Sequence, residues 1–322
     1  MKRKQYQYIS ICGILLTVIV LLVACAGSEV DDAPAAPTTP GATDVNDGSI
    51  RFNATVWQMM HAAPRRATTF DSQSDLQSLA HFYCAVYNAG TLTSYIAPDR
   101  VSYAASQWTF DSGKHYWPAE GSLDFFAYAP YGGVSYLTDL TYAATPNLTF
   151  NCVSLPMTNA GQADLEEFIY DIKTGQNKAD QGASGVTLSF QHPFTRIYLK
   201  WANYNHEAIS NLTVKLKGIK NNGSFSHTGS PKWTTSGDAT DFTTTTLDAH
   251  NAASPTAILM IPQNWAGEIE VVADWVDWGD VFTHTLTKRV PTNWQAGYSY
   301  TYTFTITPSE LKVITDKFTE QW

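Results

Sequence analysis

The sequence predicts an all-β protein made of two tandem β-sandwiches, and three observations carry the prediction. From Ser49 onward, short runs of β-branched and aromatic residues recur between Gly, Pro, Asn and Asp, the punctuation of strands and turns. Threonine occurs 38 times and aromatic residues make up 13%, while charged residues reach only 15% against about 25% in an average soluble domain. Such a palette fits pleated, half-buried surfaces and disfavours an all-helical fold. At 322 residues the chain is long enough for two domain-sized cores.

Six strands are expected in the first body, at residues 50–58, 79–87, 103–110, 123–128, 148–155 and 168–173. Residues 176–185 are Gln, Asn, Lys, Asp, Gly and Ser with Ala, a turn-rich break that divides a sandwich at 49–180 from one at 186–322. The second body takes strands at 186–191, 196–201, 212–219, 257–261, 269–275, 281–287 and 298–307. In the last of these, Tyr298, Tyr300, Tyr302, Phe304 and Ile306 alternate with hydroxyl residues, so one face is buried and the other meets solvent. Residues 223–251 are rich in Ser, Thr, Gly and Asp and read as surface loops with at most edge strands. No repeat of 20–50 residues is evident, which disfavours a solenoid or propeller.

The N-terminus reads as a targeting device. Lys2, Arg3 and Lys4 precede an apolar run at 9–23, too short for a comfortable membrane span. Leu22-Val23-Ala24-Cys25 matches the bacterial lipobox, so residues 1–24 are expected to leave as a lipoprotein signal peptide and Cys25 to carry lipid, a stable anchor when several chains are attached. Residues 25–48 then form a flexible tether of Pro, Ala, Thr, Asp and Gly. The formal charge of −9 becomes −12 as Lys plus Arg falls from 20 to 17 against 29 acids, which disfavours nucleic acid as a partner. Cys84 and Cys152 then stay as the only pair, either bridged or separately buried.

Chemistry-bearing motifs are absent from the sequence: there is no phosphate loop, nucleophile elbow, His-Glu-x-x-His or Cys-x-x-Cys, and the eight histidines are scattered singly. No enzyme, metal or cofactor is expected. Two acidic groups stand against that reading, Glu166-Glu167 and the run Asp274-Trp275-Val276-Asp277-Trp278-Gly279-Asp280. Trp275 and Trp278 are candidate glycan contacts, because aromatic faces stack on sugar rings while carboxylates bond hydroxyls. A hairpin tip with solvent-facing acids and end-capping tryptophans fits the Gly279 turn better.

An ordered set of segments points to a family. It comprises Arg66-Ala67-Thr68, Tyr116-Trp117-Pro118 followed by Leu123-Asp124-Phe125-Phe126-Ala127-Tyr128-Ala129-Pro130, Leu188-Ser189-Phe190-Gln191-His192, Ile261-Pro262-Gln263 and Trp294-Gln295-Ala296-Gly297-Tyr298-Ser299-Tyr300. Together with the lipobox, this set resembles the fimbrillin family of Bacteroidales type V pili across nearly the whole body. The resemblance implies two transthyretin-like β-sandwiches and a lipoprotein anchored in the outer membrane at the cell surface. Its partners would be other fimbrillin subunits, joined by strand addition.

In that scheme a protease cuts an early loop, the first strand leaves, and a neighbour's segment fills the groove. The removable strand corresponds here to 50–58, with Ile50, Phe52, Ala54 and Val56 on one face, and the cut to Arg65 or Arg66. The donor corresponds to 311–322, where Ile314, Phe318 and Trp322 are spaced by four and fit a helix as well as a strand. With no long tail past Trp322, an anchor or tip role stands beside that of a stalk subunit. The expected function is a non-enzymatic pilus subunit that supports adhesion. The alternatives are a monomeric surface lipoprotein that binds host glycans or proteins through Trp275 and Trp278, and a polysaccharide-active enzyme.

Overall fold

Apolar–polar alternation with β-branched and aromatic residues produces strands almost throughout the computed structural model, which describes residues 47–56, 76–78, 81–143, 147–163, 165–181, 185–203, 209–244, 256–307 and 309–318. The first half holds β1 (Phe52–Val56), β2 (His81–Asn88), β3 (Ser94–Ala104), β4 (Gln107–Phe110), β5 (Leu123–Ala129), β6 (Leu137–Ala143), β7 (Asn147–Cys152), α1 (Asn159–Ala163), β8 (Ile169–Gln176), α2 (Lys178–Gln181) and β9 (Val186–Phe190). The second half holds β10 (Thr195–Asn203), β11 (Ile209–Thr228), β12 (Pro231–Thr243), β13 (Thr256–Met260), β14 (Asn264–Trp265), β15 (Glu268–Asp277), β16 (Asp280–Arg289), β17 (Thr292–Asn293), β18 (Ser299–Thr307) and β19 (Glu310–Phe318). The protein is all-β in class, as the composition predicts.

A seven-stranded sheet in the order β8-β5-β2-β3-β4-β1-β9 curls until its end strands meet. Tyr170 and Gln191 exchange both backbone hydrogen bonds, at 3.0 and 2.7 Å, and the Asp171 carboxylate accepts the Ser189 N–H at 2.7 Å. Closure removes the exposed edges that an open sheet leaves. Inside it Phe52, Phe82, Phe110, Phe125, Leu188 and Phe190 form one core. β5, Leu-Asp-Phe-Phe-Ala-Tyr-Ala, is buried on both faces, which explains its nearly unbroken apolar run.

The second core lies between β13-β10-β18-β19 and the β11-β15-β16 part of a six-stranded sheet, where Ile197, Leu199, Val214, Leu216, Val271 and Phe304 meet. A third core has Phe150 stacked on Phe225 at 4.6 Å, with Phe168, Tyr170, Phe194 and Leu259. Sheet pairing crosses the turn-rich break at 176–185. β9, read from the sequence as the first strand of the second body, pairs with β1, and β7 pairs with the far half of β11.

One other element differs from the sequence expectation, and two that it left open are decided. Residues 103–110 form a hairpin instead of one strand, turning at Ala105 and Ser106 with φ of 50° and 64°. Positive φ at both central residues suits a tight hairpin, but Ala-Ser carries none of the Gly or Asn signal that usually marks one. The polar stretch from 223 onward continues β11 to Thr228 and returns as β12, an edge strand paired with β11. Only Trp233 and Phe242 of its large apolar groups turn inward, Phe242 fully, so a strand forms there with little apolar alternation. Residues 311–318 are strand, because the edge of β18 offers them a ladder from Thr307↔Glu310 to Ser299↔Phe318 while Leu311 packs inward.

Cys84 and Cys152 are free thiols in different cores, and burial pushes the Cys152 thiol up to about 12. Among the described residues no helix is long and apolar enough to cross a membrane, and no group of three or more His, Cys, Asp or Glu is placed to hold a metal.

At the junction of β9 and β10, the buried Glu167 accepts from Arg196 and lies 2.9 Å from His192 Nδ1. Burial alone would raise the Glu167 carboxyl, but the Arg196 guanidinium and the His192 ring outweigh it and hold it at about 2. Since the folded value lies below the ordinary one of 4.5, the stability this carboxylate contributes is full above about pH 4.5 and is lost as pH falls toward 2. Asp171, raised by burial, titrates with the opposite sign. Glu167→Gln is therefore expected to cost about 3–5 kcal/mol at neutral pH by withdrawing the carboxylate from a buried guanidinium. Urea unfolding at stepped pH should also show a shallower acid limb in the variant. An unchanged acid limb would assign the acid sensitivity to other carboxylates.

Candidate functional site

A strand can be exchanged only if its slot stays a slot without it, so the geometry around β1 decides what the closed sheet can do. β1 lies between β4 and β9 but leans on β9. Phe52 to Val56 pair in parallel with Val186 to Phe190 residue by residue, whereas the antiparallel register with β4 is the single pair Phe52↔Trp108. Parallel partners need a long connection, and here about 130 residues separate the two strands.

The period of two predicted for 50–56 is realised. Ile50, Phe52 and Ala54 point inward and are buried, and Val56 takes its place in the register opposite Phe190. The Phe52 ring meets Phe82, Phe110 and Phe125 edge-on at centroid distances of 5.8, 5.2 and 5.9 Å. Burying a side chain of this size contributes about 1.5–3 kcal/mol, with edge-to-face geometry adding to it.

The lead-in to β1 is held by polar groups that sequence reasoning missed. Gln181, in α2 and buried, accepts from the Arg51 N–H at 3.0 Å and the Trp117 indole N–H at 3.1 Å, and donates to the Ser49 carbonyl at 3.1 Å. One carboxamide thus satisfies backbone groups on which no ladder strand bears. Asp47 accepts from the Ser49 N–H at 2.9 Å and from Lys114 at 2.6 Å, and the bonds from Lys114 and Ser49 hold its carboxyl well below the ordinary range. Gly185 has φ of +89°, and a Cβ there would stand 2.6 Å from the Arg51 carbonyl carbon, so only glycine lets β9 approach. Composition marks 176–185 as a break, and nothing in its spacing shows that the break reaches back to residues 47–51.

The other predicted residues are dispersed. Cys25, Arg65, Arg66 and Trp322 lie outside the described residues. Ile314 is 62% exposed, on the face of β19 opposite the inward Leu311, and Phe318 pairs with Ser299. Trp275 is 7% exposed, packed in the second core with its ring 5.6 Å from His284, whereas Trp278 is fully exposed at the β15–β16 turn with φ of 51°. The two rings do not form one platform. Asp274 is spent within the sheet, accepting from Asn211 and Thr283 at 2.7 Å each, and Glu167 is spent on Arg196 and His192.

The site is thus a curled all-β sheet whose first strand is held mainly by a neighbour distant in sequence. The fimbrillin-like family profile matches residues 66–322, and the chain belongs to that family. Among solved structures, a candidate cell adhesion protein from Bacteroides ovatus ATCC 8483 is similar with a TM-score of 0.53 and 16% identity, over 85% of this chain and 97% of that one. Another from Bacteroides uniformis ATCC 8492 gives 0.50 and 16%, over 85% and 98%. The tip fimbrial protein Mfa3 from Porphyromonas gingivalis, with a C-terminal truncation, gives 0.46 and 9%, over 85% and 100%. The first two likenesses show a shared fold. No curated protein matches the chain in sequence.

Gln181→Ala removes all three latch bonds and is expected to cost about 1–3 kcal/mol. Hydrogen exchange should accelerate at the amides of 49–56 more than in β18. Equal acceleration in both places would mean that Gln181 serves the whole fold and not the slot. Trp275→Ala should cost about 3–5 kcal/mol in thermal or urea unfolding, while Trp278→Ala stays within about 0.5 kcal/mol. A costly Trp278→Ala would show that its ring packs in solution.

Proposed function

We propose that this chain is a surface-exposed fimbrial subunit that supports adhesion and assembles by exchange of the β1 strand. The observation that carries the reading is the β1 slot: a short apolar strand seated in the core of a closed sheet, with its ladder almost wholly on β9, which β8 holds from the other side through Tyr170, Gln191 and Asp171. Removing β1 uncovers Phe82, Phe125 and Phe190 and leaves one edge of β9 unpaired, which an incoming apolar strand of the same period restores.

In this reading Cys25 carries lipid and holds the precursor at the outer membrane, and a cut at Arg65 or Arg66 separates β1 from β2. A second subunit's 311–322 segment then occupies the slot. Support for a mobile donor comes from β19, which lies at the end of its sheet and presents Ile314 outward. Adhesion through the β15–β16 tip is favoured by the full exposure of Trp278, with Val281 and Phe282 more than half exposed beside it.

The test is to express the chain from Cys25 onward, treat it with an Arg-specific protease, and follow cut position by mass spectrometry and assembly by gel and electron microscopy. Cleavage after Arg65 or Arg66 followed by detergent-resistant ladders is expected, and Phe52→Asp should accelerate loss of the cut fragment. A chain cut there that stays monomeric overturns self-assembly and turns attention to the Trp278 tip. Metabolic labelling with a palmitate analogue should mark the full precursor and be lost in Cys25→Ser.

A further inference from the structure

A cleft of about 730 Å³ opens where β11 and the start of β12 leave the second core, within the size range of small-molecule sites. Its apolar lining comes from the half-buried rings of Trp233 and Tyr298, with the buried Trp294 and Pro262 behind them. Its rim is polar: Lys220, Lys232, Asn264, Asn293 and Gln295. Asn264 and Asn293 are register partners across the β14–β17 pair, so their exposed carboxamides stand side by side on one face. Lys317 of β19 stands beside the rim, donating to Gln295 and resting 4.2 Å over the Tyr298 ring.

Charge sets this cleft apart. In a chain with 29 acids and 20 bases, no Asp or Glu is among its described lining residues. The nearest carboxylate bonded to a lining group is Asp241, which accepts the Gly218 N–H at 3.0 Å. Lys220 is tied to the Gly237 carbonyl, which leaves Lys232 as the lining cation best placed to meet a ligand, with the positive charge of Lys317 beside the rim at Gln295.

The walls are also fixed in advance. Gln263 accepts from the Lys220 N–H at 3.0 Å and donates to the Lys220 and Ile261 carbonyls at 2.9 and 3.1 Å. Trp233 donates to the Pro193 carbonyl at 2.6 Å, Trp294 to the Tyr302 hydroxyl at 2.9 Å, and Tyr300 to the Asn293 carbonyl at 2.8 Å. Little ordering cost is left for a ligand to meet.

We propose that this cleft binds an acidic oligosaccharide, a sugar chain bearing sulfate or carboxylate groups. Carboxamides both donate to and accept from sugar hydroxyls, lysines meet the anionic substituents as point charges, and apolar ring faces suit the C–H face of a pyranose. An acidic peptide is the poorer fit. Extended peptides add to a free strand edge; β14 and β17 are two residues long and already paired with each other, and the edge strand β12 enters the cleft at Pro231, which has no N–H to offer a ladder.

The test is calorimetric titration of the full chain, in mild detergent, with a heparin-derived hexasaccharide and 3′-sialyllactose, lactose being the neutral control. At least one acidic sugar is expected to bind, more weakly at high salt, with lactose giving no signal. Lys232→Glu with Lys317→Glu should weaken binding about tenfold or more, and Asn264→Ala with Asn293→Ala severalfold, at unchanged melting temperature. Absence of binding by both acidic sugars, affinity unmoved in the lysine variant, or tighter binding of hexaglutamate than of either sugar overturns the proposal. Because the uncut chain is used, failure here says nothing about strand exchange, and failed assembly says nothing about the cleft.

Discussion

The fold depends on one strand having both edges satisfied. β9 pairs with β1 along its whole length on one side and is tied to β8 through Tyr170, Gln191 and Asp171 on the other. Without the first pairing the slot is empty, and without the second the seven-stranded sheet is an open ribbon with two exposed edges. The segment Leu188-Ser189-Phe190-Gln191-His192 carries this burden residue by residue. Leu188 and Phe190 enter the first core, Ser189 and Gln191 make the closure, and His192 joins the buried pair of Glu167 and Arg196 where the chain turns into β10. That division of labour gives a physical account of why these residue types stand in this order.

How much of this was legible depends on where each partner lies. β18 and β1 were readable because alternation is local and its period names the buried face before any neighbour is known. The same local logic said little about β12, which carries few apolar groups, and failed for Ala105-Ser106, where the backbone takes a hairpin turn without the usual residues. Gln181, Gly185 and Asp171 were not legible at all. The lead-in to β1 lies about 130 residues from Gln181, and a polar residue in a turn-rich stretch looks the same whether it is solvated or buried as a latch. Around Trp275 and Trp278 the hairpin tip was legible from the Gly279 turn, but which ring is buried was not: strand parity puts Trp275 in the core and the turn puts Trp278 in water.

Edges outside the closed sheet are protected differently. β16 ends in exposed Lys288 and Arg289, β19 carries exposed Lys312, Asp316 and Lys317, and β12 is broken by Gly237 and Asp238. Charge and irregularity of this kind discourage edge-to-edge pairing. The apolar, regular ladder is reserved for β1, inside the sheet, where no other chain reaches it while the strand is in place. Under the proposed exchange, the β1 position is the one that these safeguards leave for an incoming strand.

The placement of the latch also sets the order of events in the proposed exchange. Arg65 and Arg66 follow β1, so a cut there frees its C-terminal end, while Asp47, Gln181 and Gly185 hold its N-terminal end. Cleavage alone therefore leaves the strand seated. An arriving strand gains its first foothold opposite Phe190, at the Val56 end, and advances by displacing Thr55 and Ala54, which bury little apolar area. The main barrier comes next, at Phe52, whose removal from three aromatic neighbours costs about 1.5–3 kcal/mol until the newcomer fills the same cavity. The polar latch yields last. Its three bonds at Gln181 contribute about 0.5–1.5 kcal/mol each, enough to retain a cut strand between encounters yet small beside a completed ladder. Stepwise replacement along β9 keeps the core covered throughout, whereas release of β1 before the newcomer arrives would expose it.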